Sequence, residues 1–350
     1  MTATATEINP NLPGIEVEGE HQLPIKNVVR YLQKFLNLNQ EGPPLIRKFG
    51  YGVSNPTYYI EYGGKKMVLR MEPAKKYQII PFCHGMKHEY SIMKALKPTG
   101  IPVPDVLALC EDPSVLGSSF YIMEYVHGRV ITPDALAAMT PDERRTHYDA
   151  LIRMLVQLHS IDVEKYGIIS LDEKGHFYKR NIEKYAKLYY DNKTDEIPEL
   201  ELVISWLREN IPNKETTVIV HGDYRLDNAI FHESRPEILA LLDWERWGIA
   251  DRGEELTYTG IIVGFQGSLD GVPTVPEFKH AYYKEAGVQP ISDWRFYDAA
   301  TMFRLAASFQ YTKAKKIKEN LPDEHPGIFM ATMVDSVAKG AWAAATRESP

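Results

Sequence analysis

The chain has 350 residues, 44% of them apolar, and a formal charge of −7 from 40 Lys and Arg against 47 Asp and Glu. That balance argues against a general nucleic-acid binder, which carries a basic face, and no apolar run approaches the roughly 18–20 residues that span a bilayer. Neither nucleic acid nor membrane is an expected partner. Cys83 and Cys110 are the only cysteines, too few for a disulfide framework or a zinc site. Residues 1–19 show no secretory pattern, so the expected compartment is the cytoplasm.

Residues 1–21, Thr- and Ala-rich and then acidic, are expected to form a flexible tail. Over 23–38 the apolar residues Ile25, Val28, Val29, Leu32, Phe35 and Leu36 recur at three and four, which predicts an amphipathic helix. Strands are expected at 45–49, 58–62 and 66–71, with Gly63-Gly64 turning between the last two. The first two are joined by G-Y-G-V-S-N-P-T, Gly50 to Thr57, whose small residues and hydroxyls can let backbone N–H groups approach phosphates. In the third strand, period two puts Met67, Leu69 and Met71 on one face and Lys66, Val68 and Arg70 on the other.

A helix over 84–96 carries Glu89, and two more strands follow at 106–110 and 120–125. The chain leaves the last through Met123-Glu124-Tyr125-Val126, and His127-Gly128-Arg129 reads as a hinge. Thr140-Pro141-Asp142-Glu143 then supplies an N-cap, a proline at N1 and a capping box. That helix runs towards Ser160 with Leu151, Leu155 and Leu158 inward. Further helices are expected at 177–190, 200–209, 256–265, 276–287 and 293–313, the last with Tyr297, Met302, Leu305 and Phe309 inward, and a loop at 267–276 is expected over a cleft.

The chemistry concentrates in 217–243. A buried strand, Val218–Val220, stops at His221-Gly222-Asp223, and polar residues hold the chain in a loop as far as Asn228. Two short apolar runs, 229–231 and 238–242, are joined by Glu233-Ser234-Arg235-Pro236, and the second ends on Asp243. A tight hairpin there brings Asn228 and Asp243 face to face, with Asp223 just before them. One free carboxylate beside an Asn/Asp oxygen pair is what phosphoryl transfer to a hydroxyl requires. The carboxylate accepts the hydroxyl proton, and the pair holds magnesium on the nucleotide phosphates. Any one of these residues alone reads as a polar turn or a strand end; the ordered set points to chemistry.

H-G-D-Y-R-L-D-N followed by L-L-D-W-E resembles the aminoglycoside phosphotransferase-like family, the small-molecule branch of the protein-kinase-like fold. The resemblance is strongest to its acyl-CoA-dehydrogenase-linked group. It implies an α+β bilobal fold: a five-stranded antiparallel N-lobe sheet with one main helix over 22–126, and a mostly helical C-lobe with the catalytic loop and acceptor site over 127–350. The implied activity is ATP- and magnesium-dependent transfer of the γ-phosphate to a hydroxyl of a small-molecule acceptor.

On that match Asp223 is the base, Arg225 a cation facing the γ-phosphate, and Asn228 with Asp243 the magnesium ligands. Gly52, Ser54 and Asn55 cover the triphosphate. Val68 roofs the adenine, Arg70 grips the α/β-phosphates with Glu89 as its ion-pair partner, and the main chain of Glu124 and Val126 meets the adenine edge. Ile230 and Leu242 floor the pocket, and His159 packs beneath the catalytic loop. Two rival readings are a catalytically silent nucleotide-binding scaffold and an adenylyl transferase on the same fold.

The chain departs from the family after Asp243. Where the family carries G-D-P-x-x-D-L, this sequence has I-A-D-R-G-E-E-L from Ile249 to Leu256. Asp251 keeps the first acid and Glu255 replaces the second, which leaves the bracing role of the segment open. For the acceptor, Asp251, Glu254 and Glu255 favour a cation, whereas Arg225, Arg246 and Arg252 favour an anionic or CoA-linked compound.

Overall fold

A computed structural model describes residues 22–49, 55–73, 78–82, 84–168, 176–323 and 327–348. Gly52 and Ser54, and the expected tail at 1–21, lie outside the described residues. The chain divides into two compact units, residues 1–77 with 106–125, and residues 78–105 with 126–350.

The first unit opens with α1 (Ile25–Leu36), then β1 (Leu45–Lys48), β2 (Thr57–Tyr62) and β3 (Lys65–Met71). The chain leaves for α2 (Met86–Leu96), which groups with the second unit, and returns through β4 (Val106–Cys110), α3 (Pro113–Leu116) and β5 (Phe120–Glu124). The sheet is antiparallel in the order β1-β2-β3-β5-β4. Period two decides which face is core: Tyr58, Ile60 and Tyr62 of β2, Met67, Leu69 and Met71 of β3, and Phe120 and Ile122 of β5 pack with Val28, Tyr31 and Leu32 of α1. The Tyr31 hydroxyl ties α1 to the sheet by donating to the Leu109 carbonyl at 3.0 Å. The opposite face carries Val68, in register between Tyr59 and Met123, and Arg70, between Thr57 and Tyr121.

The second unit contains α2 and, after Val126, β6 (Arg129–Val130), α4 (Pro133–Ala138), α5 (Pro141–His159), α6 (Phe177–Asp191), α7 (Pro198–Glu209), β7 (Thr217–Val220), β8 (Ala229–Phe231), β9 (Ile238–Leu241) and β10 (Gly248–Asp251). Helices α8 (Arg252–Gln266), α9 (Val275–Ala286), α10 (Arg295–Glu319) and α11 (Val334–Thr346) complete it. The capping box predicted at Thr140 is formed, with the Glu143 side chain accepting from the Thr140 amide at 2.8 Å.

Four expectations change. The segment 78–105 joins the second unit because α2 is fastened to the chain after Asp243. Trp247 Nε1 donates to the His88 carbonyl at 3.2 Å, the His84 amide donates to the Glu245 carbonyl at 3.2 Å, and the His88 and Trp247 rings stack at 4.5 Å. Arg129, expected in a hinge, lies in β6, paired with Phe231 of β8. The loop after α8 is pinned to the start of α5, where Arg144 Nη1 donates to the Asp270 carbonyl at 2.8 Å. The inward face of α10 keeps the expected Tyr297 but is centred on Phe296, Ala299, Ala300, Phe303, Ala306 and Ala307, with Met302 and Phe309 at its margin. That helix is packed by α6, α7 and α11 together, and small residues let neighbours approach on more than one side.

Candidate active site

The catalytic loop is built outward from β7, whose residues Val218, Ile219 and Val220 are buried. At its end His221 is fully buried, and its ring is fixed at both nitrogens. Nε2 donates to the Leu242 carbonyl at 2.8 Å and Nδ1 accepts from the Asp223 amide at 3.3 Å. Burial lowers its pKa, which keeps the ring neutral in this bridging tautomer. Gly222 follows at φ +82°, and a Cβ there would stand 2.3 Å from the Arg246 carbonyl oxygen. Only glycine fits. Tyr224 anchors the far side of the loop by donating to the Leu151 carbonyl of α5 at 2.7 Å.

Beyond it the chain makes a single 3-10 turn, Leu226–Asn228, and enters β8. The β8–β9 hairpin forms as expected, with Ala229 opposite Leu241 and the Leu242 amide donating to the Asn228 carbonyl at 2.8 Å. Asn228 and Asp243 therefore leave the paired strand ends side by side in the chain path. Asn228 Nδ2 donates to the Asp223 carbonyl at 2.8 Å and to Asp223 Oδ2 at 3.0 Å. With the amide nitrogen committed to Asp223, the amide oxygen is the group Asn228 can offer elsewhere. Asp243 sits at φ +65°, ψ +56°, a left-handed conformation that Asp tolerates better than most residues. Trp244 packs behind it, buried, with its ring 4.5 Å from His221.

The residue types suit a hard divalent cation. Among the described residues no group of three or more His, Cys, Asp and Glu comes together to cage a metal. A two-residue oxygen site built from Asn228 and Asp243 fits magnesium, which keeps several of its waters.

Arg225 is held differently from the expectation of a cation presented freely to phosphate. Its Nε and Nη2 both donate to the Asp227 carboxylate, the first at 2.5 Å. Asp227 thereby serves as the partner of Arg225. The Asp227 contact and the nearby Asp223 and Tyr258 raise the Arg225 pKa, which fixes its positive charge beside Asp223.

The divergent segment after Asp243 braces the loop. Asp251 caps α8 through the Gly253 amide at 2.7 Å and also accepts from the Thr216 amide at the start of β7. Burial raises its pKa. Glu255, fully buried, accepts from the His221 and Gly222 amides, and burial pushes its carboxyl up to about 7. Glu254 pairs with Arg304 at 2.6 Å and accepts from the Thr301 hydroxyl at 3.2 Å. The three acids read as a cation-attracting group are internal supports. His159 hydrogen-bonds the Tyr282 hydroxyl of α9 at 2.8 Å, a structural role in keeping with its assignment, while the loop itself rests on Tyr224.

Sequence reasoning missed Tyr258. This α8 residue donates to Asp223 Oδ1 at 2.9 Å, and its only signal was a tyrosine between two threonines in a helix that turns apolar beyond it. Of the other expected residues in this unit, Glu89 is fully buried on α2, Ile230 is buried in β8, Leu242 is half-buried, and Val126 lies just before β6. In the first unit Asn55 and Val68 are buried, Arg70 is half-buried on β3, and Glu124 ends β5 opposite Met67.

The sequence profile of the phosphotransferase enzyme family (APH) matches residues 45–299. Acyl-CoA dehydrogenase family member 10 of Mus musculus is 34% identical over 342 residues, covering 93% of this chain and 31% of the mouse protein. The chain thus spans about a third of that relative's length. A crystal structure provisionally described as an aminoglycoside phosphotransferase from Ralstonia eutropha superposes with a TM-score of 0.77 at 30% identity, covering 93% of this chain and 98% of the other. An aminoglycoside phosphotransferase in ternary complex with ADP and hygromycin B shares the fold at a TM-score of 0.61 and 13% identity, covering 91% of this chain and 99% of the other.

Proposed function

Because the chain belongs to the APH phosphotransferase enzyme family, we propose that it transfers the γ-phosphate of ATP to the hydroxyl of a small molecule, with magnesium. The observation that carries this is the Asn228 amide. By binding both the Asp223 backbone and its carboxylate, it joins the proposed base to the proposed metal pair in one rigid turn. Magnesium, when bound, would supply charge neutralisation between the phosphates. Asn228 and Asp243 would hold it through their side-chain oxygens. Asp223 orients the acceptor hydroxyl and takes its proton as the O–P bond forms. Arg225, aimed by Asp227, places a fixed positive charge where the equatorial phosphoryl oxygens gain negative charge.

The nucleotide roles expected from the family complete the proposal. For the first unit the roles carried over from the family are phosphate contact by the segment holding Gly52, Ser54 and Asn55 and adenine contact by Val68 and the Glu124 main chain; for the second they are adenine contact by Val126, Ile230 and Leu242. Arg70 of the first unit is the cation proposed for the phosphates. ADP in a structural relative supports the nucleotide. The commitment of Asp251, Glu254 and Glu255 to internal bonds removes the argument for a cationic acceptor. An anionic acceptor, with Arg246 and Arg252 nearby in sequence, is the favoured class.

The test is ADP release across a panel of hydroxyl compounds with magnesium and ATP, for the native chain, Asp223→Asn and Asp243→Ala. Acceptor-dependent ADP release is expected from the native chain alone, with each variant reduced by at least about 100-fold. Nucleotide binding without turnover on any acceptor would make the protein a scaffold, and pyrophosphate as product would make it an adenylyl transferase.

A further inference from the structure

Taking Asp223 as the base of the reaction above, we propose that Tyr258 is its positioning residue, a buried phenol that sets the carboxylate plane before an acceptor arrives. The two carboxylate oxygens are held from opposite partners. Tyr258 Oη donates to Oδ1 at 2.9 Å, and Asn228 Nδ2 donates to Oδ2 at 3.0 Å. Two donors on different elements leave the carboxylate no free rotation about its Cβ–Cγ bond. Each oxygen keeps a second lone pair for an acceptor hydroxyl.

The helix that presents the phenol is itself keyed to the catalytic loop. Asp251 caps α8 and ties it to the start of β7, and Glu255 takes the His221 and Gly222 amides. Glu255 and Tyr258 lie three residues apart, on one face of the helix. One face therefore fixes both the loop backbone and the side chain it displays. The phenol ring is backed by the Arg304 guanidinium, 5.4 Å from the ring centroid, which is in turn paired with Glu254. Burial and the adjoining Asp223 raise the Tyr258 pKa, so the hydroxyl remains a neutral donor. Its proton stays on the tyrosine throughout.

The other titratable or charged groups around this pair are His221, Arg225, Arg246 and Arg304, and Tyr258→Phe leaves each of these side chains in place. The variant removes only the oxygen and keeps the ring against Arg304.

The experiment uses the full chain with magnesium and ATP, with water as the acceptor, and follows ADP release per active site, the sites being counted by ATP binding. Tyr258→Phe is expected to lower kcat by roughly 10- to 100-fold and to leave the KM for ATP unchanged. A purely structural role would lower the number of ATP-binding sites and leave kcat per site unchanged, and that result overturns the proposal. So does a raised kcat, which would mean that the phenol competes with the acceptor for Asp223. If the native chain gives no ADP release that depends on Asp223, the phosphotransferase reading fails, and the positioning contact is judged without turnover. For that, and for the case in which Tyr258→Phe does not fold, 3-fluorotyrosine is placed at 258. Its fluorine resonance is expected to shift on Asp223→Ala, and an unshifted resonance overturns the proposal.

Discussion

At Gly222 a single hydrogen atom decides whether the catalytic loop can close. Any larger side chain would meet the Arg246 carbonyl, and the backbone there is left-handed, so sequence and shape agree on glycine. Glu255 makes the opposite bargain. Its carboxylate satisfies two buried amides of the loop, but burial pushes it up to about 7 from an ordinary value of 4.5. Between those two values the native chain holds a proton that the unfolded chain has released. The stability this group lends is full below about 4.5 and is lost as pH rises through about 7. Glu255→Gln keeps an acceptor oxygen without the charge. Its denaturation midpoint, followed across that window, is expected to lack the fall contributed by Glu255 in the native chain.

At the scale of the element, α8 shows how a segment can lose the family's glycine and proline and keep its task. Asp251 ends β10 and caps α8 with one carboxylate, one oxygen on Gly253 and the other on Thr216. The helix start and the root of the catalytic strand are thus joined by one side chain. Asp251→Ala removes a cap and leaves the buried Gly253 amide and the Thr216 amide without their acceptor. It is expected to cost about 2 kcal/mol or more of stability in chemical denaturation. Helix α2 gives a second case. Its reciprocal bonds with Trp247, together with a His88 whose pKa burial lowers to about 4, make the Glu89 helix part of the same unit as Asp243.

Across the whole molecule, two units carry separate cores, one of alternating strand residues against α1 and one of aromatic and alanine-rich helix faces. Val68 and Arg70 belong to the first unit, and Asn228 and Asp243 to the second. ATP with magnesium at about a hundredfold above its Kd is expected to add about 2.7 kcal/mol to the stability of the folded state. Thermal unfolding with and without the pair reads this directly, and Asp243→Ala is expected to lose the magnesium-dependent part of the shift.

The sequence by itself determined the order of His221, Asp223 and Asn228 along the loop, the strand faces and the capping box. Each depends on spacings within a few residues: the run from His221 to Asn228, the alternation through β3, and the Thr140–Glu143 pair. Local chemistry and helical or strand period are sufficient there. The tertiary structure decided where Glu254 and Glu255 spend their charge, which unit holds α2, and what holds Asp223 in place. Those contacts join residues far apart in the chain, 35 positions for Tyr258 and Asp223 and 159 for His88 and Trp247. No local pattern records such a pairing. A tyrosine such as Tyr258 reads as core until the fold turns its hydroxyl towards a carboxylate.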